Sequence, residues 1–256
     1  MSAGFLLLIF VIVLAFSGLM AMAGLGAAFL FVPLFYYMGI PLDQAAPAAL
    51  LLNTISLLAA AVAYWKAGLI QWRIGLPVLI LAVIFSPLGA MVTPGVNKAF
   101  LLGLFVAFLL FAASMMLFYK QRPAKVPMSR GVEVGAGGAV GAFAGFLGGL
   151  LGVGGGNFIL PVLNGIGMET KVAAATTSVI VMFSSFSGFL GHMSVGKIDP
   201  VFLTVAGIRA VLGSLLGSWI MKKKISGPQL KVVIAIILYA VAVKMGSDVL
   251  HQLHAF

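Results

Sequence analysis

Residues 148–157 read Gly-Gly-Leu-Leu-Gly-Val-Gly-Gly-Gly-Asn and lie between two long apolar stretches. Each glycine inside a helix costs about 1 kcal/mol relative to alanine, so the run of Gly154, Gly155 and Gly156 predicts an unwound helix. A new helix is predicted to begin at Asn157, with free N–H groups and a positive dipole end available to an anion. Tight helix packing through small residues is the alternative explanation for these glycines.

The same break recurs in the first half of the chain, at Gly24-Leu25-Gly26. An ungapped shift of 128 residues superposes seven glycine, proline and serine positions: Gly24 on Gly152, Gly26 on Gly154, Pro33 on Pro161, Gly39 on Gly167, Ser56 on Ser184, Gly68 on Gly196 and Gly89 on Gly217. Glycine and proline have restrictive backbone roles, so this coincidence indicates a duplication. We therefore predict two transmembrane repeats, 1–128 and 129–256, within one integrated membrane domain.

The composition is that of an integral membrane protein. Hydrophobic residues make up 62% of the chain and charged residues 8%, whereas soluble domains are about half apolar and about a quarter charged. Several stretches reach the roughly 20 apolar residues that a membrane-spanning helix needs. The chain has no cysteine, which excludes disulfides and thiolate metal sites.

Five apolar elements are predicted in each half of the chain. They cover about 4–22, 27–38, 45–65, 73–92 and 98–119 in the first half, and about 132–151, 156–168, 172–193, 199–221 and 229–250 in the second. The second element of each half is too short to cross a bilayer unaided, because a dozen residues make only about 19 Å of helix. The predicted fold is an all-α polytopic bundle with broken or re-entrant helices.

Charge distinguishes two topologies. The basic clusters Lys120 to Arg130 and Lys222 to Lys224 lie beside apolar segments, which is typical of cytoplasmic loops rather than of a nucleic-acid surface. If the short elements do not count as crossings, each half has four spans, the two halves are parallel, and the two basic clusters fall on opposite faces. If the short elements do count, each half has five spans and both clusters share one face with Lys66 and Arg73. The second repeat is then inverted relative to the first, and both termini lie outside the cytoplasm.

Candidate substrate ligands surround the glycine breaks. Arg209 falls about halfway along an apolar element, and none of the five acidic residues is placed mid-span to pair with it. A buried cation of this kind is a functional candidate, and the alternative is that backbone carbonyls hold Arg209 in a purely structural role. Further hydrogen-bond donors are predicted near helix starts and helix ends: Asn53, Thr54, Asn157, Thr176, Thr177, Ser178 and His192. Helix capping alone also explains the three successive hydroxyls, and His192 also fits a polar helix-end residue.

The ordered set from Gly152 to Asn157, followed by Pro161, Gly167, Ala173 to Ser178 and the Gly188 to Asp199 region, resembles the sulfite exporter TauE/SafE family of membrane proteins. The resemblance implies a duplicated bundle in the bacterial inner membrane that exports a small sulfur-containing anion, such as sulfite or an organosulfonate. The first repeat departs from the pattern, with Ala27 and Ala28 after Gly26 and no hydroxyl at 48–50.

Three other functions are compatible with an apolar duplicated chain. They are an anion channel or facilitator, a membrane assembly subunit without transport activity, and a membrane enzyme. The enzyme is disfavoured because the sequence has no paired carboxylates, no metal-ligand cluster and no Ser/His/Asp grouping, so we expect no catalytic residue, metal or cofactor. The expected partners are a small anion and the lipid bilayer, with a proton or sodium as coupling ion and no nucleic acid.

Overall fold

A computed structural model of the chain describes residues 26–37, 39–118, 130–195 and 227–254. This part contains eight α-helices and no strand: α1 (Ala28–Tyr37), α2 (Leu42–Lys66), α3 (Trp72–Val92), α4 (Lys98–Phe118), α5 (Arg130–Leu151), α6 (Gly156–Gly165), α7 (Thr170–Val195) and α8 (Gly227–His254). The all-helical prediction is confirmed. Each helix coincides with one predicted apolar element to within four residues at either end. The elements predicted at 4–22 and 199–221 lie outside the described residues.

Five of the described helices are long and apolar enough to cross a membrane: Leu42–Lys66, Trp72–Gly95 with its terminal 3-10 turn, Lys98–Met115, Val134–Leu151 and Thr170–Ser194. The chain is therefore a multi-span membrane protein. The turn between α2 and α3 carries Trp65 and Trp72, whose exposed rings meet edge to face with centroids 6.2 Å apart. Tryptophan is enriched at membrane–water interfaces, so we expect this turn to lie at one face of the bilayer.

Helix α5 packs on α3 through a row of glycines spaced four residues apart. The contacts pair Gly141 with Val78, Gly145 with Ala82 and Gly149 with Ser86. A β-carbon at Gly141 would lie only 2.5 Å from the Val78 carbonyl oxygen, so the two backbones are in direct contact. Small residues permit such close approach in membranes. Residue numbers rise together along both helices, so α3 and α5 are parallel.

Helix α7 is also parallel to α3. The N–H of Gln71 donates to Thr176 Oγ1 at 3.0 Å, and further along both helices Gly191 lies against Pro87. Because α5 and α7 therefore run in the same direction, α6 and its flanking turns must return the chain between them. A helix of ten residues is about 15 Å long, which is half a bilayer core.

The two short helices begin at the same depth and point in opposite directions. Helix α2 is antiparallel to α7, because Asn53 meets Ser185 while Leu50 meets Gly188. Helix α1 begins beside Asn53 and leads through a turn at Gly39 to the start of α2. The segment before α6 lies beside Val181 and Ser185, about halfway along α7, and α6 then leads to the start of α7.

The helix directions also determine which helix ends lie on the same face of the bundle. Helix α8 is antiparallel to α4, since Tyr239 bonds Ser114 and Gly246 lies beside Val106. The α2–α3 turn and the starts of α5, α7 and α8 consequently lie on one face. This face includes Lys66, Arg73 and Lys171. The basic residues Lys120 to Lys125 and Lys222 to Lys224 lie outside the described residues, although the helices that follow them begin on this same face.

Candidate functional site

The first break in the chain is closed by a side chain. The N–H groups of Ala27 and Ala28, at the start of α1, donate to Asn53 Oδ1 at 2.8 and 3.3 Å. Asn53 is fully buried. Gly26 has a φ of 72°, and a β-carbon at this position would overlap the Asn53 carboxamide. The break therefore requires glycine, and the helix start that it exposes is already hydrogen-bonded.

The second break combines three left-handed glycines with an α5 end at which three of the last four carbonyls are hydrogen-bonded. Gly152, Gly154 and Gly155 have φ values of 73°, 78° and 73°. The last four carbonyls of a helix have no partner within the helix. At the end of α5, three of these four carbonyls are hydrogen-bonded to other groups. Gly148 O accepts from Val153 N at 3.0 Å. Gly149 O and His192 Nε2 are 2.9 Å apart, and Leu150 O accepts from Thr93 Oγ1 at 3.2 Å.

The start of α6, by contrast, is open. Its N-cap residue is Gly155, which provides no side-chain cap. Within the described parts of the chain, no acceptor bonds the backbone N–H groups of Gly156 or Asn157. Both residues are buried. The positive end of α6 and its N–H groups therefore lie in the interior of the bundle, where an anion could accept their hydrogen bonds.

Asn53 connects the two breaks. Its Nδ2 donates to Ser185 Oγ at 2.9 Å, and a β-carbon at Gly154 would lie 2.6 Å from that nitrogen and 2.8 Å from the hydroxyl oxygen. The structure thus brings together Gly26, Asn53, Gly154 and Ser185. Sequence reasoning missed Ser185, although two adjacent serines in the middle of an apolar span are a signal that could have identified it.

The predicted hydroxyl donors differ in availability. Thr176 Oγ1 accepts from Gln71 N, Ser178 Oγ donates to Ala175 O at 2.8 Å, and Thr54 Oγ1 donates to Leu50 O at 2.9 Å. Thr177 Oγ1 is buried and has no hydrogen-bond partner in the described structure. The carboxamide of Asn157 likewise bonds no described residue, and the residue is buried, with 5% of its surface exposed. Thr177 is therefore the predicted hydroxyl that makes no hydrogen bond at all within the described residues, and the Asn157 carboxamide is likewise unbonded there.

His192 braces the second break rather than facing an open site. It is buried, and its Nε2 bonds the carbonyl of Gly149 across 43 residues of sequence. Two residues that the sequence reasoning did not select, Asn164 and Thr170, join the end of α6 to the start of α7 with a side-chain hydrogen bond of 3.2 Å. The described residues include no group of three or more His, Asp and Glu that could hold a metal ion. Arg209 and Gly24 lie outside the described part of the chain.

Comparison with known proteins identifies a membrane transporter family. The family model described as Sulfite exporter TauE/SafE matches residues 8–245. The probable membrane transporter protein YunE of Bacillus subtilis is 29% identical over 183 residues, which cover 65% of this chain and 67% of the relative. The probable membrane transporter protein MJ0441 of Methanocaldococcus jannaschii is 26% identical, with 84% and 85% covered. Sulfite exporter TauE/SafE family protein 1 of Arabidopsis thaliana is 37% identical over 83 residues, 32% of this chain and 18% of the plant protein.

Proposed function

The chain belongs to the sulfite exporter TauE/SafE family of membrane transporters, and from that premise we propose that it exports a small sulfur-containing anion across a bacterial inner membrane. The observation that carries the proposal is the open N-terminus of α6, whose buried N–H groups at Gly156 and Asn157 have no acceptor among the described residues. Sulfite and organosulfonates present several oxygens that accept such hydrogen bonds.

The site is proposed to combine backbone donors, side-chain donors and one cation. Non-helical backbone at membrane depth is tolerated where it lines a cavity or is covered by protein, and the glycine turn before α6 meets that condition. Thr177 and Asn157 supply side-chain donors. Arg209, outside the described residues, is proposed as the counter-charge, because a cation in an apolar span requires compensation.

The directions of the helices support an inverted duplication. A shift of 128 residues carries the bounds of α1, 28–37, onto those of α6, 156–165. The two helices point in opposite directions, and the pairs α2 with α7 and α4 with α8 are antiparallel. Inverted repeats meeting at a midplane site are the usual architecture for alternating access. We propose that the repeats 1–128 and 129–256 move against each other in this way.

A carrier is favoured over a channel by the contact between the breaks. Asn53 and Ser185 are both fully buried and hydrogen-bonded, so packed side chains lie between the two glycine breaks and occupy space there. A permanently open pore would require that space. An assembly subunit would not need buried donors without acceptors, and the enzyme alternative is disfavoured because the relatives are described as membrane transporters and sulfite exporters.

Reconstitution into liposomes tests the proposal. We expect saturable uptake of labelled sulfite, accelerated by unlabelled sulfite or an alkanesulfonate on the opposite side, because a carrier exchanges ligands across one alternating site. Imposed proton or sodium gradients then identify the coupling ion. Flux that rises linearly with concentration without counterflow would indicate a channel. Absence of flux, together with no thermal stabilisation by sulfite, sulfonates or carboxylates, would contradict the transporter assignment for these anions.

A further inference from the structure

The two short helices have matching bounds but differ in what occupies their N-termini. The start of α1 is bonded by Asn53 Oδ1 through two successive N–H groups. The residue 128 positions after Asn53 is Val181, which lies against Gly154 and has no polar atom in its side chain. The start of α6 therefore lacks the acceptor that α1 has.

Asn53 holds the position that an anion oxygen takes at a helix start. One oxygen accepting two consecutive backbone N–H groups is the arrangement by which helix N-termini bind phosphates and carboxylates. The Asn53 carboxamide is fully buried, and its nitrogen is fixed by Ser185. It cannot leave α1 without breaking that bond as well, so an external anion does not displace it readily.

We propose that Asn53 is a built-in ligand that fills the anion position of the first break, so that the protein binds one anion per chain, at the second break only. The part that concerns the second break rests on the proposed transport function. The part that concerns the first break rests on the Asn53 contacts alone. Asn53, which the sequence suggested as a substrate ligand, is thereby assigned as a positioning residue.

Chemical rescue tests the first break separately. Asn53→Ala removes the carbon, oxygen and nitrogen of the carboxamide, and formate has a matching count of three heavy atoms. We expect formate to raise the thermal midpoint of purified Asn53→Ala by several degrees more than that of the unaltered protein. Ser56→Ala is the matched control, because Ser56 is buried on the same helix and donates to Asn53 O, so its loss leaves the carboxamide in place. An equal formate shift in all three proteins would overturn the proposal.

Asn53→Asp covers the case in which the alanine variant does not fold. The carboxylate keeps an oxygen at the α1 start, where negative charge is favourable, and the Ser185 hydroxyl can turn to donate to it. We expect this variant to fold, with a midpoint within a few degrees of the unaltered protein and no additional shift from formate. If neither the alanine nor the aspartate variant folded, the idea of an anion position at the first break would be overturned.

Stoichiometry tests the second half of the proposal. Equilibrium binding of labelled sulfite to the unaltered protein should saturate at one anion per chain. Two equivalent anions per chain would overturn the inference while leaving the transport proposal intact. If sulfite, alkanesulfonates and carboxylates all fail to bind but formate rescues Asn53→Ala, the proposed function fails and the assignment of Asn53 stands.

Discussion

At the scale of single residues, a substitution of Thr177 should change the affinity for the anion without lowering the stability of the fold. Its hydroxyl is buried without a partner among the described residues, so the folded protein gains no described hydrogen bond from it. We expect the isosteric change Thr177→Val to leave the thermal midpoint unchanged or slightly raised, because desolvating an unpaired hydroxyl is unfavourable. Sulfite affinity should fall about tenfold, corresponding to about 1.4 kcal/mol for one lost hydrogen bond to a charged ligand.

Thr176→Val is the matched comparison for that experiment. Thr176 accepts from Gln71 N at the start of α3, and its loss leaves that N–H without an acceptor. The free energy of unfolding should therefore fall by about 1 to 3 kcal/mol. Sulfite affinity of the folded fraction should change little. If Thr177→Val kept full affinity, the unpaired hydroxyl would not be a ligand contact.

Arg209 carries the second prediction at this scale. If Arg209 is the counter-charge that we propose for the anion, it should be partly replaceable by lysine, which keeps the charge but lacks the planar pair of donors that matches two sulfonate oxygens. Arg209→Gln should lose most of the binding. Titration of monodisperse Arg209→Gln protein with sulfite measures this directly. Reduced expression with unchanged affinity would instead show that Arg209 braces the fold.

At the scale of elements, the sequence predicted the short helices but not their connection. Glycine runs and short apolar stretches are local features that can be seen directly in the sequence. For this reason α1 and α6 could be located within a few residues of their observed bounds. The acceptor for the α1 start, Asn53, is 26 residues away, and its partner Ser185 is a further 132 residues along the chain. Such pairings depend on how helices pack, which periodicity does not encode. The same reason explains why His192 could be identified as a helix-end residue but not as the partner of Gly149.

The third prediction compares two glycines with nearly the same backbone conformation. Gly68 and Gly154 have φ values of 65° and 78°. A β-carbon at Gly68 meets nothing within 4 Å, whereas one at Gly154 crowds Asn53 and Ser185. Gly68→Ala should therefore cost only the left-handed strain of about 1 to 2 kcal/mol. Gly154→Ala should cost roughly 1 to 3 kcal/mol more and should also reduce sulfite uptake. Equal losses of thermal stability and unchanged uptake would show that the Asn53–Ser185 contact yields without consequence.

At the scale of the whole molecule, the helix directions and the hydrogen bonds at the helix ends together place the two glycine breaks side by side. The parallel helices α3, α5 and α7 require α6 to return across about half of the bundle, which places its start near the middle of α7. At the second break, three carbonyls at the end of α5 are hydrogen-bonded, whereas the N–H groups of Gly156 and Asn157 at the α6 start have no acceptor among the described residues. Because α2 is antiparallel to α7, the first break reaches the same depth from the other direction, and Asn53 can contact both.

The fourth prediction concerns the orientation of this assembly in the membrane. The α2–α3 turn shares a face with the starts of α5 and α8, and the sequence places basic clusters before both of those helices. The positive-inside rule predicts that this face is cytoplasmic. Cysteines introduced singly at Lys66, Lys125 and Lys223 of the cysteine-free chain should then be protected from an impermeant maleimide applied to intact cells. Cysteines at Lys98 and His254, on the opposite face, should be labelled. If positions 125 and 223 were labelled from opposite sides, the two repeats could not be inverted, and the antiparallel helix pairs would need another explanation.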